Sequence, residues 1–267
     1  MVGPDHLRHA NIVKYGRLPR TFNPAVPHWS ALRMGAAPIA VPETVDYTVG
    51  LPANLGAMLN DTLGDCAEAG WYHADQVWSV AAGKPILTAS DSAVQALYET
   101  QGYVPGNPST DRGTVLQSLL AYLVTTGAPF ADGSRQKLTA FVELDPKNSA
   151  DLDRATYESG LLYLGFNMPA FMQALESPGS VWDIQPGSDQ SIIGGHCVIS
   201  PGYEPGRRRI VTWGSADYWM TDAFWARFVD ECYALVSAEF AESSGLTPLG
   251  MPIPALEAQM QALRMAA

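Results

Sequence analysis

Apolar residues recur at steps of three and four through Ala67, Gly70, Trp71, Ala74, Val77, Trp78 and Ala81. That is the period of a helix with a stripe buried in a core. Asp65 stands at the N-cap position and Glu68 follows three residues later, the spacing of a capping box that starts the helix at Cys66. Cys66 itself lies off the stripe. Ser90-Asp91-Ser92 caps a second helix through Val94, Leu97 and Tyr98. After the loop GYVPGNPSTDRG, a third spans Thr114 to Thr125 with Leu116, Leu119, Leu120 and Leu123 inward, and stops at Gly127. This half reads as helical, preceded by a short alternating strand at 43–50.

From about residue 135 the pattern changes. The stretch 137–144, KLTAFVEL, reads as a strand, Ser149 to Ser159 as a helix capped by Ser149, and 160–166 as a buried strand. Between Ser191 and Tyr203, alternation puts His196, Val198 and Ser200 on one face and Cys197 and Ile199 on the other, so Cys197 reads as core. A turn at Pro205-Gly206 returns the chain through 209–214, a hairpin that brings Thr212 to Ser215 beside His196. Phe224, Trp225, Phe228 and Tyr233 recur at helical spacing as core packing between Met220 and Tyr233. Pro254 opens a short helix with Leu256, Met260 and Leu263 on one side.

Four segments follow: an extended N-terminal arm at 1–40, a helical lobe at 41–130, a β-rich lobe at 131–240, and a tail with a short helix at 241–267. Pro19, Pro24, Pro27, Pro38 and Pro42 break any regular element in and just after the arm. Such an arm wraps its own domain, covers a cleft as a pro-segment would, or reaches a neighbouring subunit. The C-terminal helix docks on its own domain or on a partner. Both termini therefore leave room for assembly contacts.

Composition narrows the function classes. At 267 residues and 47% hydrophobic, the chain can bury a large core. A net charge of −11 argues against nucleic acid or an anionic membrane as partner. The basic run Arg207-Arg208-Arg209 reads as a solvated turn. Three cysteines make no disulfide framework, no metal-ligand spacing occurs, and no cofactor or metal is implied. No apolar run suits a signal peptide or a bilayer span, so a cytoplasmic protein, or one incorporated in a larger particle, is expected.

The candidate chemistry centres on Cys66. A thiol at a helix N-terminus meets the positive end of the dipole and unpaired N–H groups, which favour thiolate. His196 is its one sensible base: His73 lies two helical turns away, about 10 Å along the axis, and His6, His9 and His28 belong to the arm. Gly194 and Gly195 leave space beside His196 for a backbone passing close by.

The order of a cysteine on a helix N-terminus, a histidine on a strand some 130 residues later, and a hairpin into Trp213-Gly214 resembles the papain-like cysteine peptidases. The segments 41–47, Asp111-Arg112-Gly113-Thr114 with 119–123, Gly194-Gly195-His196 and Gly202-Tyr203 are similar to landmarks of that family, from about residue 40 to 235. A phage and bacterial branch carries Asn-Asp-x-x-Gly-Asp-Cys and Thr-Trp-Gly; here these are Asn60 to Cys66 and Thr212-Trp213-Gly214, with Met220-Thr221-Asp222-Ala223-Phe224 beyond. The resemblance implies an α+β, two-lobed fold, a helical lobe with the Cys helix beside an antiparallel β lobe with the His strand. It implies Cys66 as nucleophile, His196 as base, and Asn60 with the Cys66 N–H as oxyanion donors. Two departures stand out. Val211 occupies the position of the family's histidine-orienting asparagine, leaving Thr212, which alternation turns to the opposite face unless a bulge intervenes. Asp65 and Glu68 oppose the thiolate. Three readings follow: a thiol hydrolase cleaving peptide or isopeptide bonds of a peptide or protein substrate, a structural or interaction protein such as a virion component with weak or lost catalysis, and a transglutaminase-type acyl transferase.

Overall fold

The structure, a computed structural model, describes residues 15–34 and 36–266. His6 and His9, with the first part of the arm, lie outside the described residues. The helices in chain order are α1 (Trp29–Leu32), α2 (Cys66–Ala81), α3 (Asp91–Glu99), α4 (Leu116–Thr125), α5 (Ser149–Ser159), α6 (Asp222–Phe228), α7 (Ala238–Ser244), α8 (Ile253–Gln259) and α9 (Gln261–Ala266). The strands are β1 (Val45–Asp46), β2 (Ala128–Pro129), β3 (Arg135–Gln136), β4 (Ala140–Leu144), β5 (Leu162–Pro169), β6 (Val181–Trp182), β7 (Ile192–Glu204), β8 (Arg207–Thr212), β9 (Ser215–Thr221) and β10 (Val229–Val236). The expected α+β class is the one observed.

One sheet organises the molecule, in the order β4-β10-β5-β7-β8-β9-β6, with β1 on β7. Its pairs are antiparallel except β6 with β9. The two faces bury different partners, because successive strand residues point to opposite sides. Tyr163, Cys197, Ile199, Val211 and Tyr233 pack with α2, α3 and α4 in one core. Leu164, Phe166, Val198, Ile210 and Cys232 pack with Trp29, Trp182 and the aromatics of α6 in the other. Cys197 is thus a core residue on the helical side.

α2 is buried all round from Cys66 to Ser79, more deeply than its single apolar stripe predicts. Its polar residues find internal partners: Gln76 Nε2 donates to the Leu55 carbonyl at 2.9 Å and His73 Nδ1 meets Gln76 Oε1 at 2.8 Å. The capping box does not form. Asp65 is the N-cap, but its side chain makes no capping bond. Glu68 instead accepts from Thr114 Oγ1 at 2.7 Å.

Several boundaries differ from the sequence reading for identifiable reasons. α5 is capped by Asn148, whose side chain accepts from the Asp151 N–H, and not by Ser149. The segment 220–233 changes from helix to strand at Val229, since the helical spacing of its aromatics covers α6 alone. Arg207 to Arg209 lie on β8: Arg208 is buried, pairs with Asp153 and sits over Trp225, while Arg207 and Arg209 cover Trp219. The basic run therefore packs against aromatic rings instead of standing in solvent. Leu256, Met260 and Leu263 enter the helical-side core, so the C-terminal helices dock on their own chain. No helix among the described residues is long and apolar enough to cross a membrane.

Candidate active site

Cys66 begins α2 where that helix meets β7. The backbone N–H of Cys197, the residue after His196, donates to Cys66 Sγ at 3.3 Å. The Gly16 amide also hydrogen-bonds the sulfur. The helix start and the histidine strand are thereby joined.

His196 is fully buried and held on several sides. Trp213 stacks on it with ring centroids 4.7 Å apart and planes 20° from parallel, and Phe166 meets it edge-on at 5.8 Å. Its Nε2 lies 2.9 Å from Thr212 Oγ1. The sequence reading turns Thr212 away from His196 unless a bulge intervenes. No bulge is needed: Ile210 packs on the side of Val198 and Val211 on the side of Cys197, so alternation along β8 places Thr212 on the face of His196. Val211 is buried in the helical-side core. With Nε2 on Thr212, Nδ1 is left buried without a hydrogen-bond partner among the described residues.

Asn60 is engaged elsewhere. Its Nδ2 donates to the Leu63 carbonyl at 3.4 Å and to Asp65 Oδ1 at 3.3 Å, using both amide hydrogens to brace the turn before the nucleophile.

The space beside Cys66 and His196 holds the chain's own arm. Arg17 N–H donates to the Gly195 carbonyl at 2.9 Å, Leu18 N–H to the Thr114 carbonyl at 2.9 Å, and Thr114 N–H to the Gly16 carbonyl at 2.6 Å. Arg17 and Thr114 pair as a parallel bridge. Residues 16–18 thus lie against their own chain, between β7 and the segment before α4. The crossing suits glycine alone, since a Cβ on Gly16 would run into the Gly64 carbonyl and one on Gly113 into the Gly16 carbonyl. A Cβ on Gly194 would come within 2.9 Å of Tyr15, and one on Gly195 within 2.5 Å of the Arg17 carbonyl. The paired glycines do leave room for a passing backbone.

Electrostatics in this arrangement favour neutral groups. Burial pushes the Cys66 thiol up to about 12; the two amide hydrogen bonds act against that, and Glu68 and Asp65 add to it. The dipole argument for a thiolate is thus outweighed by burial. Burial, with the nearby Arg17 charge, drives His196 down to about 3. Burial raises Glu68 to about 8 and, with Glu68 beside it, Asp65 well above the carboxylate range.

Sequence reasoning missed Arg17 and its partners. Its guanidinium meets Asp230, Glu231 and Asn167. A faint signal existed: Asp230-Glu231 is an adjacent acidic pair in an otherwise apolar strand, VDECYALV.

No known family's sequence model matches the chain, and no curated protein matches it. Solved structures do. Xylellain, a cysteine protease from Xylella fastidiosa, is similar with a TM-score of 0.65 at 14% identity, over 85% of this chain and 97% of that one. Digestive procathepsin L 3 of Tenebrio molitor larval midgut gives a TM-score of 0.56 at 12% identity, over 84% of this chain and 76% of that one. The Carica candamarcensis cysteine protease CMS1MS2, solved with E-64, gives 0.52 at 14% identity, over 74% of this chain and 99% of that one. At these identities the likeness establishes the papain-like fold.

Proposed function

We propose that the chain is a thiol hydrolase acting on peptide bonds, held in a masked state by residues 15–18. The observation that carries this reading is the single free ring nitrogen. His196 uses Nε2 on Thr212, and Nδ1 is the remaining group able to take a proton on a strand whose next amide bonds Cys66 Sγ. In the reaction Nδ1 takes the thiol proton, the sulfur attacks the scissile carbonyl, and the imidazolium protonates the departing amine as the C–N bond breaks. Water then attacks the thioester, gives its proton to the imidazole, and releases the acid and the thiol. The Cys66 N–H, at a helix start without an intrahelical acceptor, is one oxyanion donor. Asn60 would be the second only after leaving Asp65. Isopeptide bonds present the same carbonyl chemistry and fall within this reading.

With the arm seated, the thiol and imidazole are buried and neutral. Removing the arm returns water and lowers the cost of the thiolate and imidazolium. The test is the reactivity of Cys66 with iodoacetamide in the full chain and in Gly16→Ala, whose new Cβ has no room under the Gly64 carbonyl.

A second reading, a scaffold with the fold but no catalysis, is favoured by Val211, a core residue at the position of the family's histidine-orienting asparagine. The same labelling experiment separates the two.

A further inference from the structure

The arm offers a side chain as well as a backbone. Arg17 sits one residue from the glycine whose amide bonds the Cys66 sulfur, and its buried guanidinium enters a pocket beside the site between buried Glu231 and partly exposed Asp230. Nη1 donates to Asp230 Oδ1 and to Glu231 Oε1, both at 2.7 Å; Nη2 donates to Asn167 Oδ1 at 3.0 Å and Asp230 Oδ2 at 3.1 Å. The Asp230 contacts form a two-pronged fork, which fits a guanidinium and not the point charge of a lysine.

The walls are built to hold this group. Tyr233 Oη donates to Glu231 Oε2 at 2.9 Å and Asn167 Nδ2 to Asp230 Oδ2 at 3.1 Å, which fixes both carboxylates in position. A Cβ on Gly165 would strike Arg17 Cδ and come within 2.8 Å of Glu231 Oε1, and one on Gly195 would come within 2.9 Å of Arg17 Nε. Arg17 and Glu231 side chains are 2% and 1% exposed. A buried carboxylate without its counter-charge is costly, so the pocket demands a cation whenever it is covered.

Resting on the thiol-hydrolase reading, we propose that the pocket of Asp230, Glu231 and Asn167 binds an arginine of the peptide substrate once Arg17 leaves, one residue from the cleaved bond. The arm then occupies the site by imitating the side chain that the site selects. Because the crossing at Gly16 admits no Cβ, the probe carries glycine at the bond and arginine beside it. The arm reads Gly16-Arg17, and an arm that stays uncut crosses in the sense opposite to a productive substrate, so the probe reads Arg-Gly.

The experiment uses the full chain with Arg17→Ala, which empties the pocket, and the same chain with Asp230→Asn and Glu231→Gln added. Affinity for acetyl-Arg-Gly-amide and acetyl-Leu-Gly-amide is measured by calorimetry, and cleavage with the matching aminomethylcoumarin peptides. The expected result is a preference for arginine of about 100-fold in kcat/KM and in affinity, lost when the two acids are neutralised. Equal handling of arginine and leucine, or a preference indifferent to the acids, overturns the proposal. Arginine-selective, acid-dependent binding without any cleavage supports the pocket and sinks the hydrolase reading instead. Should Arg17→Ala not fold, the wild-type chain supplies the second measurement. Millimolar acetyl-Arg-Gly-amide should displace the arm and speed Cys66 alkylation, whereas acetyl-Leu-Gly-amide should not; equal effects of the two overturn the pocket.

Discussion

Glu68 gives the most quantitative test of the energetics around the nucleophile. Its carboxyl is fully buried one turn into α2, with one oxygen accepting from Thr114 Oγ1 and the other without a partner. Burial raises its pKa from 4.5 to about 8. The folded state therefore holds this proton more tightly than the unfolded chain does. The resulting stability is complete below the unfolded value and is lost as pH rises through the folded one. At about 1.4 kcal/mol per unit, the interval sets a ceiling of about 5 kcal/mol between mildly acidic and mildly basic solution. Glu68→Gln keeps an acceptor for Thr114 and never ionises, so it should be about equal to wild type at low pH and more stable by a few kcal/mol above about pH 8. Asp65, raised by burial and by Glu68 beside it, adds a slope of the same sign in both proteins. His196 acts in the opposite sense: lowered to about 3, it contributes stability that is present above its unfolded value near 6.5 and fades as pH falls. It does so equally in both proteins and cancels in the difference. Urea unfolding of wild type and variant across this range measures the difference directly. Parallel pH profiles would refute the claim that Glu68 is buried as an acid.

Two further substitutions probe the site and the packing around it. Thr212→Val removes the hydroxyl at His196 Nε2, and in the Gly16→Ala background should lower peptide cleavage about 10- to 100-fold and displace its pH profile, with Thr212→Ser retaining most activity; an unchanged profile would show that the ring needs no such partner. Leu256→Ala, in the helical-side core, should cost about 2–5 kcal/mol in urea unfolding, whereas a loss under about 0.5 kcal/mol, the scale of a surface change, would mean that the C-terminal helices are not docked as described.

What the sequence revealed, and what it hid, follows from the range of each interaction. Cys66 at a helix start and His196 on an alternating strand are local patterns, and both were legible. Whether Thr212 reaches His196 depended on which face of β8 meets which core. Val211 enters the helical-side core, which leaves Thr212 facing the histidine, and alternation fixes the period of the two faces but not their assignment. The capping box failed because Glu68 found Thr114, 46 positions away in sequence, a partner no local window contains. Arg17 and Glu231 are separated by 214 positions, and an arm broken by prolines gave no hint of which residue would be buried. The arm's three possible placements were all open from composition; the backbone hydrogen bonds of residues 16–18 to Gly195 and Thr114 hold that segment against its own chain. The dipole argument at Cys66 was sound in sign but too small beside the cost of burial, which only the packed structure reveals.

The most direct measurement is the pH dependence of iodoacetamide labelling at Cys66, followed by mass spectrometry, in wild type, Gly16→Ala, and Gly16→Ala with His196→Ala. The account predicts slow labelling of the wild-type chain at neutral pH, because the thiol is buried beneath the arm and pushed up to about 12. It predicts labelling at least about tenfold faster in Gly16→Ala, with a step below the ordinary thiol range near 8.5, and loss of that step when His196 is removed. Slow labelling in all three with the same alkaline profile, in a Gly16→Ala protein shown to be folded, would contradict it and leave the papain-like fold as a scaffold without a thiol hydrolase.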